Sequence, residues 1–297
     1  MHLATDVFRI LGERETTFTS HHYELLITTY LNASDLTSAL SVLTIMLDAK
    51  LKVTTGTCQP LFWYLRREIP HEASRPMTAF QILQDFEAQG RKVPTAAVNA
   101  CMQASIALDR FSEAIEIYKA LHTVSASGPD TQTFNFLFRG CHQNVRKELA
   151  MFFANEMITL GLKPDRITYD RLIWVCLQAG DVDDALLYYE EMRGTKVKVG
   201  SGDGARAMRP RRLTWEALIM RCVKVGDGRG VAVHREYKDV QEEPSALIER
   251  AVRARFEEGG GGGGVVRVEE RDGTVTDVGG GGMEELVRVS EGVGRRL

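Results

Sequence analysis

Apolar positions along the chain form pairs of amphipathic runs that recur. In "ITYDRLIWVCLQAG", Tyr169, Leu172, Ile173, Cys176 and Leu177 follow the i, i+3, i+4 spacing of one helix face. Gly180 interrupts that run, Asp181 is placed to cap the next, and "VDDALLYYEEM" supplies a second amphipathic helix. The pattern predicts a unit of helix A, tight turn, helix B and a loop closing near Pro-Asp. Two such closures, "PDTQTFNFLF" from Pro129 and "PDRITYDRLI" from Pro164, stand 35 residues apart.

The unit has a fixed period. Alanines at Ala39, Ala79, Ala114, Ala150 and Ala185 are separated by 40, 35, 36 and 35 residues. Seven residues beyond each lies a large apolar side chain: Met46, Phe86, Leu121, Met157 and Met192. An apolar, mostly aromatic residue opens each helix A at Tyr23, Val98, Phe134, Tyr169 and Trp215, with Cys58 in the remaining place. A small residue lets two antiparallel helices approach ridge into groove. A hairpin this short cannot bury its apolar faces alone, so hairpins stack. Cys141, Cys176 and Cys222 lie seven residues after the opening aromatic. They read as small buried packing residues, with metal or redox chemistry as the alternative.

Counting units predicts a helix B remnant and linker over 1–19 and five repeats at 20–54, 55–94, 95–130, 131–165 and 166–200. A loop insert follows at 201–211, then a degenerate sixth repeat with a capping helix at 212–258, and a Gly-rich tail at 259–297. The second repeat is lengthened by "REIPHEASRP", which a surface loop accommodates at small entropic cost. The tail composition predicts a flexible or disordered segment, and its alternating middle suits a hairpin about Asp272-Gly273. A chain starting inside a helix B also reads as a piece of a longer parent.

The 297 residues carry a formal net charge of -3, which argues against a general electrostatic grip on nucleic acid. Residues 1–200 hold 20 Lys/Arg against 23 Asp/Glu. No apolar run approaches the ~20 residues of a membrane span, so no membrane partner is expected. Five cysteines without a CxxC pair predict neither a zinc framework nor a disulfide framework, and a reducing compartment is the simplest reading. The N-terminus matches neither a secretory signal nor a transit peptide, since Asp6, Glu13 and Glu15 accompany only two arginines.

On these residues, above all "GLKPDRITYDRLIWVCLQAGDVDDALLYYEEM", the chain resembles the pentatricopeptide repeat family. The tetratricopeptide alternative lacks its Trp…Leu-Gly…Tyr pattern here. The resemblance covers roughly three quarters of the chain and is weakest over 55–94 and 212–240. It implies an all-α fold, a right-handed α-solenoid of stacked helix-turn-helix repeats with a disordered Gly-rich C-terminal tail. It also implies a modular binder of single-stranded RNA, of the kind that serves mitochondrial RNA processing, stability or translation. A cytosolic location stays open.

In such a binder each repeat offers one base a polar residue early in helix A and a second from the loop before the next repeat. The resemblance carries the helix A role to Glu24, Gln59, Asn99, Asn135, Asp170 and Glu216, and the loop role to Thr54, Thr95, Asp130, Asp165 and Gly200. Asn99 with Asp130 and Asn135 with Asp165 form the Asn–Asp combination that in the family favours uracil. Asp170 with Gly200 and Glu24 with Thr54 depart from the usual combinations. Ile167 and Leu213 suit the aliphatic wedge three positions before the reader, whereas Gln132 and His21 do not. Asp130 and Asp165 equally suit simple helix caps, and the two asparagines a solvated face. Arg206, Arg209, Arg211 and Arg212 form the one dense basic cluster, either a phosphate contact or a solvated loop.

No catalytic arrangement is present: GxSxG, HExxH, GxxxxGK[ST] and CxxC are all missing, and the histidines are scattered among repeats. No enzyme activity, cofactor or metal is expected. A second function class stays open, a helical protein–protein scaffold or an assembly factor of a ribosome or other organellar complex.

Overall fold

The computed structural model describes residues 18–67, 74–198, 205–240, 245–257, 267–269 and 275–277. The helix B remnant expected before residue 15, most of the "REIPHEASRP" segment and most of the Gly-rich tail lie outside them. The chain divides into two compact units, Met1–Pro164 and Asp165–Leu297.

The first unit holds eight described helices in antiparallel pairs. They are α1 (Ser20–Asn32) with α2 (Leu36–Asp48), α3 (Gln59–Leu65) with α4 (Arg75–Ala88), α5 (Thr95–Ala107) with α6 (Phe111–Val124), and α7 (Thr131–Gln143) with α8 (Lys147–Thr159). The A helices α1, α3, α5 and α7 pack in succession, and the B helices α2, α4 and α6 form a second layer. The second unit continues the pattern with α9 (Arg166–Ala179) and α10 (Val182–Gly194), then α11 (Arg212–Val225) and α12 (Arg229–Val240). A short α13 (Ala246–Val252) packs on α11 and runs into a π-helical turn, Arg253–Glu257.

Two small hairpins join the helices. Strands β1 (Lys196–Lys198) and β2 (Ala205–Ala207) pair antiparallel, so the insert read as a loop contributes a strand. Strands β3 (Arg267–Glu269) and β4 (Val275–Asp277) pair with Arg267 opposite Asp277, the hairpin that the alternating tail segment suggested.

The periodic residues make the core. Ala39, Ala79, Ala114, Ala150 and Ala185 are all buried, as are Met46, Phe86, Leu121, Met157 and Met192. The sixth pair keeps the rule with a different residue, because Gly230 and Tyr237, also seven apart, are both buried on α12. A Cβ on Gly230 would collide with Cβ of Cys222, so here even alanine is too large. A Cβ on Gly140 would likewise collide with the Phe111 ring.

One hydrogen bond recurs at these A–B turns. The amides of Asp35, Arg110, Arg146, Asp181 and Asp227 donate to the carbonyls of Tyr30, Ser105, Cys141, Cys176 and Cys222, each at 2.9 Å. This six-to-one closure puts the preceding residue in the left-handed region: Ser34, Asp109, Val145, Gly180 and Gly226. Only the last two units place glycine where that conformation costs nothing.

Candidate nucleic-acid interface

The start of each A helix sets a register. Thr19, Pro94, Asp130, Asp165 and Arg211 are the N-caps of α1, α5, α7, α9 and α11. Thr54 stands in the corresponding place ahead of α3, its Oγ1 accepting from the Thr57 amide at 3.3 Å while Thr57 Oγ1 accepts from the Thr54 amide at 3.4 Å. Five residues after these positions stand Glu24, Gln59, Asn99, Asn135, Asp170 and Glu216. Thr95, counted as a loop position, is the first residue of α5 after its N-cap Pro94, and Gly200 lies outside the described residues, ahead of the α11 N-cap Arg211. Thr95 instead bonds Ser125 Oγ at 2.5 Å and the Gly128 carbonyl at 3.0 Å.

At α5 and α7 the two expected partners meet. Asn99 Nδ2 donates to Asp130 Oδ1 at 3.1 Å. A carboxylate only accepts, so it fixes the amide with its amino group toward Asp130 and its oxygen toward Thr133. Thr133 Oγ1 lies 2.8 Å from Asn99 Oδ1 and 3.0 Å from Asp130 Oδ1, and its single proton serves one of them at a time. The same Asp130 oxygen accepts from the Thr133 amide at 2.8 Å, completing a capping box. The cap and the oriented amide are one network, joined at Asp130 Oδ1. Thr133 is a member that the two-residue count passed over.

Asp165 repeats the capping box on α9, with Thr168 donating from its amide at 2.8 Å and its hydroxyl at 3.0 Å. Asn135 is 1% exposed and Asn99 2%, so neither lies on a solvated face. Glu24, half-buried on α1, lies 3.9 Å from His21, and Gln59 is half-buried at the start of α3.

The second unit differs. Asp170 is buried, its Oδ1 accepts from the Arg211 amide at 3.2 Å, and its Oδ2 lies 3.4 Å from Arg211 Nε. Burial pushes the Asp170 carboxyl above its ordinary value, against the opposing hydrogen bonds from Arg211 and Thr214 and the charges of Arg211 and Arg166. Glu216 is closed off as well: its Oε1 accepts from Tyr237 OH at 2.6 Å and from Arg212 Nε at 2.8 Å. The basic cluster is thereby partly spent, with Arg211 and Arg212 paired to acids and Arg209 half-buried. The Arg206 side chain lies outside the described residues.

All five cysteines are buried and none is in a disulfide, and burial pushes Cys58 and Cys141 up to about 12 and Cys222 to about 11. Thiolate chemistry is suppressed accordingly. Among the described residues no group of three or more His, Cys, Asp or Glu is placed to hold a metal ion, and no helix is long and apolar enough to cross a membrane.

Comparison with known proteins gives the fold a family context. A model described as "Pentatricopeptide repeat-containing protein" matches residues 1–121, and one described as "Pentatricopeptide repeat domain" matches residues 153–199, together more than half of the chain. The chain is 29% identical over 129 residues to the Arabidopsis thaliana pentatricopeptide repeat-containing protein At5g10690. It is 33% identical over 86 residues to At3g26540 of the same plant and description. Those matches take in 41% and 28% of this chain, but only 22% and 11% of the relatives' lengths. Among solved structures, a cysteine-to-serine variant of the pentatricopeptide repeat protein PPR10, in complex with an 18-nt PSAJ RNA element, matches at a TM-score of 0.50 and 14% identity. That match covers 98% of this chain and 37% of the PPR10 chain.

Proposed function

The chain belongs to the pentatricopeptide repeat family, and from that premise we propose that it binds single-stranded RNA along its A helices. The observation that carries the reading is the Asn99–Asp130–Thr133 network. It holds an amide by two of its bonds and leaves one N–H and one carbonyl lone pair for a base edge. A donor beside an acceptor matches the paired edge of uracil. Asn135 and Asp165 repeat the same residue types one period later. The organellar role, in mitochondrial RNA processing, stability or translation, is proposed from the family, and the reading assigns these repeats binding rather than catalysis.

The second unit favours a different use. With Asp170 held by Arg211 and Glu216 by Arg212 and Tyr237, its A helices present spent polar groups, which suits a protein-docking scaffold better than a base reader. Electrophoretic mobility of the full chain with a labelled 14-nt single strand and its duplex, in low salt, tests the proposal. A shifted single strand and an unshifted duplex is the expected result. No shift with a folded, helical protein hands the function to the scaffold reading.

A further inference from the structure

Three donors crowd one oxygen at the start of α7. Asp130 Oδ1 receives the Asn99 amino group at 3.1 Å and the Thr133 amide at 2.8 Å, and the Thr133 hydroxyl stands 3.0 Å away. A carboxylate oxygen has two lone pairs, and the first two donors fill them. The hydroxyl proton therefore goes to Asn99 Oδ1, 2.8 Å away. Thr133 Oγ1 in turn accepts from the Asp130 amide at 3.0 Å. The Asn99 amide is gripped at both ends, its nitrogen by an acceptor and its oxygen by a donor.

The arrangement recurs in the second unit. Thr214 stands three residues past the α11 N-cap, as Thr133 stands three past that of α7, and both are buried. The Thr214 hydroxyl oxygen accepts from Trp174 Nε1 at 3.2 Å, and its proton is given to Asp170. In both units a threonine of one A helix reaches back to the side chain five residues past the preceding cap. After Gln59 the corresponding residue is Ala97, buried and without a hydroxyl to give. Turning the Asn99 amide over would set its oxygen against Asp130 and its amino group against the Thr133 hydroxyl. It would also exchange the donor and the acceptor that the amide shows a base. Uracil and cytosine differ by that exchange, N3–H beside O4 in one and N3 beside an amino group in the other.

We propose that Thr133 is a positioning residue for base choice at Asn99: its hydroxyl holds the amide in the orientation that suits uracil and against the one that suits cytosine. This role rests on the RNA reading above and adds to it a third position, carried by the A helix of the following repeat. By the same rule Gln59, with Ala97 in that place, is held less firmly and discriminates less between the two bases.

The test is the affinity of the full chain for two labelled single-stranded RNAs that differ only in a central UU or CC. The variants are Thr133→Val, Thr133→Ala and Thr133→Ser, each checked for helicity. The unaltered chain is expected to bind the UU strand more tightly. Thr133→Val should cut the UU-to-CC affinity ratio by roughly fivefold, the worth of one hydrogen bond, while Thr133→Ser keeps it. Loss of the capping box alone weakens both RNAs alike and leaves the ratio untouched, so the ratio separates positioning from capping. Thr133→Ala removes the same hydroxyl and carries the test should valine disturb the hairpin. An unchanged ratio in the hydroxyl-free variants overturns the role. An equal fall in Thr133→Ser overturns it too, since the hydroxyl is then not what holds the amide. Equal binding of UU and CC by the unaltered chain overturns the uracil reading at Asn99 itself, and this role with it.

Discussion

Asn99 and Asp130, 31 residues apart and on neighbouring A helices, share a 3.1 Å hydrogen bond that makes a helix cap and a candidate base reader one device. Asp130→Ala removes the cap of α7 and strands the Asn99 amide. We expect a loss of about 1–2 kcal/mol in denaturant unfolding. Asn99→Ala is expected to cost about 1 kcal/mol, and the double variant less than the two singles together. A double-mutant cycle with a coupling near zero would mean that the two side chains act independently.

Val145 closes the α7–α8 turn at φ +51, in the left-handed region where a β-branched residue is strained, and its side chain is exposed. The corresponding position is glycine at Gly180 and Gly226. Val145→Gly is therefore expected to stabilise the protein by about 1 kcal/mol, read as a raised denaturation midpoint. A lowered midpoint would mean that the valine packs usefully despite its backbone.

Gly140 meets the Phe111 ring more closely than any Cβ tolerates. Gly140→Ala should cost about 1–3 kcal/mol through displacement of α6. The variant Gly140→Ala/Phe111→Leu should recover some of that loss. Failure of both to move stability would show that the two helices slide apart freely.

Asp170 titrates above its ordinary value in the folded protein. The native state then holds a proton that the unfolded chain has already released. Its contribution is complete below the unfolded value of about 4 and is lost as pH rises through the raised folded value. Asp170→Asn should flatten the fall in melting temperature above about pH 4 while keeping an acceptor for the Arg211 amide. An identical pH profile in the variant would show that Asp170 does not govern the pH dependence.

The five thiols are buried, and those of Cys58, Cys141 and Cys222 titrate far above neutrality. A thiol-specific disulfide reagent at about pH 8 should find none in the folded chain and all five in guanidinium. Rapid reaction of even one in the native state would reopen a redox role.

The alanine period and the opening aromatics were legible as architecture because close helix packing imposes residue size at fixed intervals. The candidate reader positions were counted from the same period, one early in each A helix. The helix starts were less legible: the sequence count gave Thr95 and Gly200 as loop positions, whereas α5 and α11 are capped at Pro94 and Arg211. An insert of variable length hides a cap, since only the folded chain shows where helix resumes. Gly230 escaped notice because it replaces alanine in a helix lacking the surrounding pattern. The pairing of Glu216 with Tyr237 and Arg212 needed the side chains of two helices together, which no single run of sequence displays.

The most direct measurement is the affinity of the full chain for single-stranded RNAs differing only in a central UU or AA, compared with that of Asn99→Ala/Asn135→Ala. Base reading predicts a preference for UU of roughly tenfold in the natural sequence and its loss in the variant, with helicity unchanged. Equal affinity for both RNAs in the natural sequence would contradict base reading and leave the Asn99–Asp130 bond a purely structural cap.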